Sequence, residues 1–183
     1  GFFALNLDNV QKAVAALPWV ESVEARKRWP DTLQLRVTER QPFARWNGKQ
    51  LISRQGKVFD APIDAADAAA LPNLQGPDDR LAEVVSFYAD VRKAFAGTHL
   101  SINGVALTAR GSWSIATATG ARIVIGDRDL AGVRLRRFLD VYPQMMAGHD
   151  QGFVYADLRY TNGFAVRWPD PAPAAKTTTV RRS

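Results

Sequence analysis

The first forty residues change from a helical hydrophobic period to a strand-like one. Apolar side chains recur at three- to four-residue spacing from Val10 to Leu17, which predicts a helix with one buried face. Pro18 ends this helix, because the residue before a proline is displaced from the α region. Apolar and polar residues then alternate over 22–39, which predicts two strands.

A turn signal, Pro30-Asp31, separates the two runs, so we interpret 22–39 as an antiparallel hairpin. The alternation places Trp29 in the inward register, where we expect it to be structural. It places Arg26 and Arg28 on the opposite face, in water.

The middle of the chain alternates short strands with amphipathic helices. Residues 42–62 predict short strands broken at Asn47-Gly48, and 63–70 an Ala-rich helix. A helix follows from Leu81 and ends at Gly97. Three strands are expected around 105–107, 113–115 and 123–125, with Trp113 inward, and then a helix over 127–146. On that helix we expect three arginines to point largely outward: Arg134, Arg136 and Arg137.

Two strands, 153–160 and 163–168, close the pattern and meet at Asn162-Gly163, a strong hairpin signal. We therefore predict an α+β fold: a small helix-and-hairpin domain over 1–45, and a larger domain over 46–168 with a mainly antiparallel sheet, two packed helices and a final edge strand. The proline-rich residues 169–183 are predicted to be a disordered tail.

Composition limits the partners and the chemistry. The 183 residues carry a net charge of +6 and no cysteine, which favours an anionic partner and excludes thiolate catalysis, disulfides and zinc–sulfur sites. His99 and His149 are isolated, and the paired carboxylates at 78–79 and 127/129 open helices, where dipole effects explain them. We expect no enzyme, no cofactor and no metal.

Nucleic acid is the next class to consider, since Arg26, Lys27 and Arg28 adjoin Trp29. The inward register of Trp29 and the scatter of the other arginines argue against it, and no helix-turn-helix or RNA-binding aromatic pattern is present. A protein-interaction module remains. The last strand, 163–168, is expected at a sheet edge, where unpaired N–H and C=O groups accept another chain unless Arg167 and Pro169 protect them.

Several segments resemble the periplasmic region of the FtsQ/DivIB cell-division family. The stretch LPWVESVEARKRWPDTLQLRVTER with the following ARW resembles its POTRA domain. LPNLQGP, LTARGSW, RLRRFLDVYPQ and ADLRYTNGFAVRW resemble its β domain. The resemblance runs in order from about Phe2 to Trp168. In the family a strand and a helix precede FFALNLD, a serine is common at Asn162 and a small residue at Phe164.

The resemblance implies a non-catalytic scaffold on the periplasmic face of the bacterial inner membrane, at the division septum, with an anchoring segment outside this chain. It implies binding of FtsB, FtsL and other septal division proteins, and a link to septal peptidoglycan synthesis. The positions that match the family's contact surface are Arg110, Arg159, Tyr160, Gly163, Phe164, Ala165, Val166, Arg167 and Trp168. The alternatives are a POTRA-type module of another envelope-assembly system and a basic nucleic-acid-binding domain.

Overall fold

A computed structural model describes residues 7–30 and 32–170, and the structural statements below concern these residues. Asp31 of the predicted turn and the tail beyond residue 170 lie outside them. Within the described residues, no helix has the length and apolar character needed to cross a membrane.

The N-terminal part consists of a helix packed on a hairpin. Helix α1 spans Leu7–Ala15, and strands β1 (Val20–Arg28) and β2 (Thr32–Glu39) form a two-stranded antiparallel sheet. Val23 pairs with Val37 and Ala25 with Leu35, so these four side chains share one face. The Gln11 side chain ties α1 to β1 by donating to the Val23 carbonyl at 2.8 Å.

The rest of the chain builds a nine-stranded mixed sheet in the order β11-β10-β9-β8-β7-β6-β3-β4-β5. The strands are β3 (Pro42–Trp46), β4 (Gln50–Ser53), β5 (Val58–Phe59), β6 (Asn73–Gln75), β7 (Ile102–Leu107), β8 (Trp113–Thr117), β9 (Arg122–Gly126), β10 (Tyr155–Asp157) and β11 (Ala165–Arg167). The helices are α2 (Ala65–Ala70), α3 (Leu81–Ala94) and α4 (Ala131–Met146), with a 3-10 turn at Asp78–Arg80. The predicted α+β class is confirmed.

One core lies between this sheet and the helices α3 and α4. Phe87 of α3 packs on Trp113 of β8 with ring centroids 4.4 Å apart, and both side chains are about fully buried, at 1% exposure. Phe138 of α4 contacts Phe153 and Phe164 edge to face. Trp113 is therefore structural, as its inward register predicts. The other face of the sheet carries neither α3 nor α4.

Trp29 contradicts the prediction that it is inward. Strand β1 ends at Arg28, and the Trp29 side chain, in the turn beyond it, is 92% exposed. Alternation fixes the side-chain direction only while the residue belongs to a paired strand, so the register cannot be carried past Arg28. Arg26 and Arg28 do lie in water, on the face opposite Val23.

The last hairpin is shorter than predicted. Tyr155 pairs with Arg167 and Asp157 with Ala165, and residues 158–164 form a connection rather than a two-residue turn. The strands stop because this connection makes other bonds: the Asp157 carboxylate accepts the Arg159 N–H at 3.1 Å, and arginines of α4 donate to its carbonyls. Side-chain bonds of this kind compete with a strand ladder.

Two hydrogen bonds join the N-terminal part to the sheet region. The Arg40 N–H donates to the Trp19 carbonyl at 2.8 Å, and the Arg54 N–H donates to the Gln41 carbonyl at 3.2 Å. The buried core cluster starts at Ala44, whereas Val20 and Val23 are buried outside it. Since β3 begins at Pro42 and pairs within the large sheet, we infer a domain boundary at residues 40–41, slightly before the predicted position.

Candidate partner-binding edge

Strand β11 is the outermost strand of the nine-stranded sheet and pairs on one side with β10. The Arg167 carbonyl oxygen accepts the Val154 N–H at 2.9 Å, so the main chain of Arg167 faces β10. Successive residues of a strand direct their N–H and C=O groups to alternate sides. The main-chain groups of Val166 therefore face the unpaired edge, and those of Ala165 face β10.

The two faces of β11 differ. Phe164, Val166 and Trp168 share the face that packs on the core. The Phe164 ring lies 5.3 Å from that of Phe138, and the Trp168 ring stacks on His149 at 3.8 Å. On the other face Ala165 and Arg167 are exposed. The large apolar side chains of β11 thus hold the strand on the domain, and the free edge itself consists mainly of backbone.

Tyr160 stands in the connection before β11 and is 58% exposed, which makes it one of the most exposed large side chains of the molecule. Its backbone is nevertheless held in place. Arg137 of α4 donates to the carbonyls of Tyr160, at 3.3 Å, and Thr161, at 2.9 Å. The ring is presented to solvent on a main chain that α4 fixes.

Arg134 also supports the connection, by donating to the Ile125 carbonyl at 2.6 Å and to the Arg159 carbonyl at 3.2 Å. The prediction that Arg134 and Arg137 point largely outward is therefore wrong: both are partly buried, and only Arg136 of the three is exposed. Their three-residue spacing puts them on one helix face, which is the sequence signal that identifies them as a pair.

Arg159 forms a fork-shaped ion pair with Asp157. Its Nη2 lies 2.6 Å from Asp157 Oδ2, and its Nε donates to Oδ1 at 2.9 Å. The hydrogen bond from the Arg159 side chain lowers the pKa of the Asp157 carboxyl, although burial opposes this effect. The same pairing raises the pKa of the Arg159 guanidinium. About half of the Arg159 side chain, 56%, stays exposed beside the edge.

Arg110 lies in the turn between β7 and β8 and is exposed. This turn is at the same end of the sheet as Arg159, because Trp113 pairs with Gly126, and a Cβ at Gly126 would lie 3.0 Å from Arg159 Cγ. The structure thus gathers the predicted contact positions from 159 to 168 at one corner of the sheet and places Arg110 along the adjacent end.

The carboxylates and histidines considered for catalysis have structural partners. Asp78 accepts the Trp46 indole N–H at 2.7 Å, Asp127 accepts the Asp129 N–H at 3.1 Å, and His149 stacks on Trp168. Within residues 7–30 and 32–170, no group of three or more His, Cys, Asp or Glu side chains is placed to hold a metal ion.

Comparison with known proteins identifies the family. The family model described as "Cell division protein FtsQ/DivIB, C-terminal" matches residues 44–159, and the model "POTRA domain, FtsQ-type" matches residues 1–40. The chain belongs to the FtsQ/DivIB family of cell-division proteins. Members of this family divide into the same two parts that the sequence pattern distinguishes.

Relatives named "Cell division protein FtsQ" align along most of the chain. The protein of Xanthomonas campestris is 48% identical over 166 residues, which cover 91% of this chain and 59% of the relative. The Coxiella burnetii protein is 33% identical over 92% of this chain and 68% of its own length. The Escherichia coli protein is 34% identical over 88% of this chain and 59% of its own. The chain therefore spans about three fifths to two thirds of these relatives.

Proposed function

We propose that this chain is a non-catalytic scaffold of the division septum that binds FtsB through strand addition at β11. The observation that carries the proposal is the free edge of β11, whose Val166 main-chain groups face outward. Membership of the FtsQ/DivIB family supports a role in division. In this proposal FtsL binds together with FtsB, and the complex links this protein to other septal division proteins and to septal peptidoglycan synthesis on the periplasmic face of the inner membrane.

Main-chain pairing supplies affinity but little selectivity, so neighbouring side chains supply the rest. Tyr160 offers an exposed amphipathic ring beside the edge. Arg159 and Arg110 offer positive charge along the same end of the sheet, suited to an acidic residue of the partner. Because these two arginines are exposed, we expect their contribution to be modest and sensitive to salt.

A proline at Val166 tests strand addition directly. Val166→Pro removes an N–H that faces the free edge, and an edge strand tolerates proline when the missing N–H faces solvent. We expect the affinity for a peptide from the periplasmic end of FtsB to fall at least about tenfold, measured by isothermal titration calorimetry. Val166→Ala is the matched control, since it shortens the side chain and keeps the N–H.

A chain truncated after Asn162 is the second arm of this test. It lacks β11, so FtsB peptide that binds it as tightly as the full chain would exclude strand addition at this edge. A proline at Ala165 tests a different bond, because the Ala165 N–H faces β10 and its loss weakens the sheet itself.

Tyr160→Ala should weaken FtsB binding by about 2 kcal/mol, or about thirtyfold, and leave the circular dichroism spectrum unchanged. Tyr160→Phe is the control that keeps the ring. Trp168→Ala should also weaken binding, but with some loss of stability, because Trp168 stacks on His149. Full affinity in Tyr160→Ala would remove this ring from the binding surface.

Two further observations separate the alternatives. A pull-down from envelope extracts should recover FtsB and FtsL, whereas recovery of outer-membrane assembly factors would favour a POTRA-type module of another system. We also propose that the protein has no hydrolytic or transferase activity. Turnover of a peptidoglycan fragment that a single point mutation abolishes would contradict that proposal.

A further inference from the structure

The face of the large sheet opposite α3 and α4 carries a row of cross-strand neighbours with arginines at intervals. Each member pairs with the next on the adjacent strand, from β3 to β11, in the order Arg45, Asn73, Gly104, Ala116, Arg122, Tyr155 and Arg167. Long side chains therefore flank a stretch in which Gly104 and Ala116 contribute almost no side-chain volume.

A trough of about 350 Å³ lies over that stretch. Arg45 and Asn73 line one side and Arg122 lines the other. Gly104 is required in the floor, because a Cβ there would overlap the Asn73 carbonyl oxygen. The remaining polar lining groups are Gln75, Asn103 and Ser114, and no aspartate or glutamate lines the trough. Its charge is therefore positive.

Two buried polar atoms of the trough have no hydrogen-bond partner in the protein: Arg45 Nε, a donor, and Asn73 Oδ1, an acceptor. They belong to residues directly opposite each other on β3 and β6. A buried polar group without a partner is costly, so a ligand that supplies both an acceptor and a donor would bind with a gain. Across the floor, Arg122 donates to Ser114 Oγ at 3.3 Å, and none of the ion pairs among the described residues includes Arg45 or Arg122.

We propose that this trough binds the carboxylate of a peptide segment, held between the guanidinium groups of Arg45 and Arg122. Guanidinium forks match carboxylates in shape and charge. Asn73 Oδ1 then accepts a neighbouring backbone N–H of the same peptide. This acceptor distinguishes the ligand from phosphate, which is mainly an acceptor itself. The site lies on a sheet face, separate from the β11 edge, so a peptide can occupy it while FtsB pairs with β11.

The carboxylate has two sources, a chain terminus or an acidic side chain, and two peptides distinguish them. Acetyl-Ala-Ala with a free C-terminus offers the first, and acetyl-Ala-Asp-Ala-amide offers the second. Acetyl-Ala-Asn-Ala-amide and inorganic phosphate are the controls. Titration of the ¹⁵N-labelled full chain should give saturable shifts at Asn73, Gly104 and Ala116 with one or both carboxylate peptides, and weaker or no shifts with the controls.

Variants locate the binding in the trough. Arg45→Gln and Arg122→Gln should each weaken the carboxylate peptide at least about tenfold. Arg136→Gln, which removes the same charge from an exposed position on α4, should leave it unchanged. Ala116→Phe fills the trough from an exposed strand position and should abolish binding, and it serves if loss of Arg45 unfolds the chain.

Three results would overturn the proposal. They are no saturable shifts with either carboxylate peptide, unchanged affinity in Ala116→Phe and Arg122→Gln, or phosphate binding as tight as that of the peptides. The FtsB peptide should bind Ala116→Phe as tightly as wild type, so failure of this proposal and failure of edge binding are separately visible.

Discussion

Two tryptophans contribute very differently to stability, although both follow apolar alternation. Trp113 is buried against Phe87, and Trp113→Ala should cost about 3–5 kcal/mol in the free energy of unfolding. Trp29→Ala should change it by less than about 0.5 kcal/mol, because the side chain is 92% exposed. Urea unfolding followed by circular dichroism measures both. Equal losses in the two variants would contradict these environments.

The Asp157–Arg159 pair predicts a pH dependence of stability. The folded pKa of Asp157 is below its ordinary value of 3.8, so the stabilisation is present above that value and is lost as the pH falls through the folded pKa. Asp157→Asn has already lost it. The difference in unfolding free energy between wild type and Asp157→Asn should therefore shrink as the pH is lowered from 5 towards 2, in chemical denaturation. A constant difference would mean that the pair is not formed in solution.

Residue environments were predictable where a residue lies inside a paired strand and not beyond it. Trp113 and the exposed Arg26 and Arg28 follow alternation, whereas Trp29 sits one residue past β1, where the rule no longer applies. Arg134 and Arg137 were misjudged for another reason. Arginines with helical spacing usually point to solvent, and only the path of residues 158–164 in space brings carbonyls within their reach.

At the scale of elements, α4 acts as the support of the connection that presents Tyr160. Arg137→Gln removes two bonds to the carbonyls of Tyr160 and Thr161. We expect faster amide hydrogen exchange in residues 158–164 and an FtsB peptide affinity about three- to tenfold weaker. Arg136→Gln, on the same helix but exposed, is the matched control. Unchanged exchange in Arg137→Gln would show that the connection is held by other contacts.

Most helices and strands could be predicted from the sequence, but their ends and partners were less accessible. The predicted helix ending at Gly97 corresponds to α3, and the three strands after it correspond to β7, β8 and β9. The strand at 153–160 was overestimated because its later residues bond to side chains instead of a neighbouring strand. Such competition depends on groups that are distant in sequence.

At the scale of the molecule, we expect two units that fold separately. The core cluster begins at Ala44, and few hydrogen bonds cross residues 40–41. A chain of residues 41–170 should therefore unfold cooperatively in urea and bind FtsB peptide as the full chain does. Loss of cooperative unfolding in this shorter chain would show that the helix and hairpin before it complete the fold.

Strand order was beyond the reach of local pattern. Alternation and turn signals predict that β10 and β11 are neighbours, which is correct. They do not predict that β10 lies parallel to β9, or that β6 lies between β3 and β7, because such pairings join residues separated by a helix or a long connection. The edge position of β11 was expected from its place in the chain, and the sheet order confirms it.

The position of β11 also has a consequence for biosynthesis. The residues that form this edge are among the last to leave the ribosome, and every other strand of the sheet precedes them. A chain interrupted anywhere before Ala165 has β10 as its border strand and offers none of the Val166 main-chain groups. Recognition at this edge would therefore select finished chains: a partner that pairs with β11 tests, in the same step, that translation of the whole domain is complete.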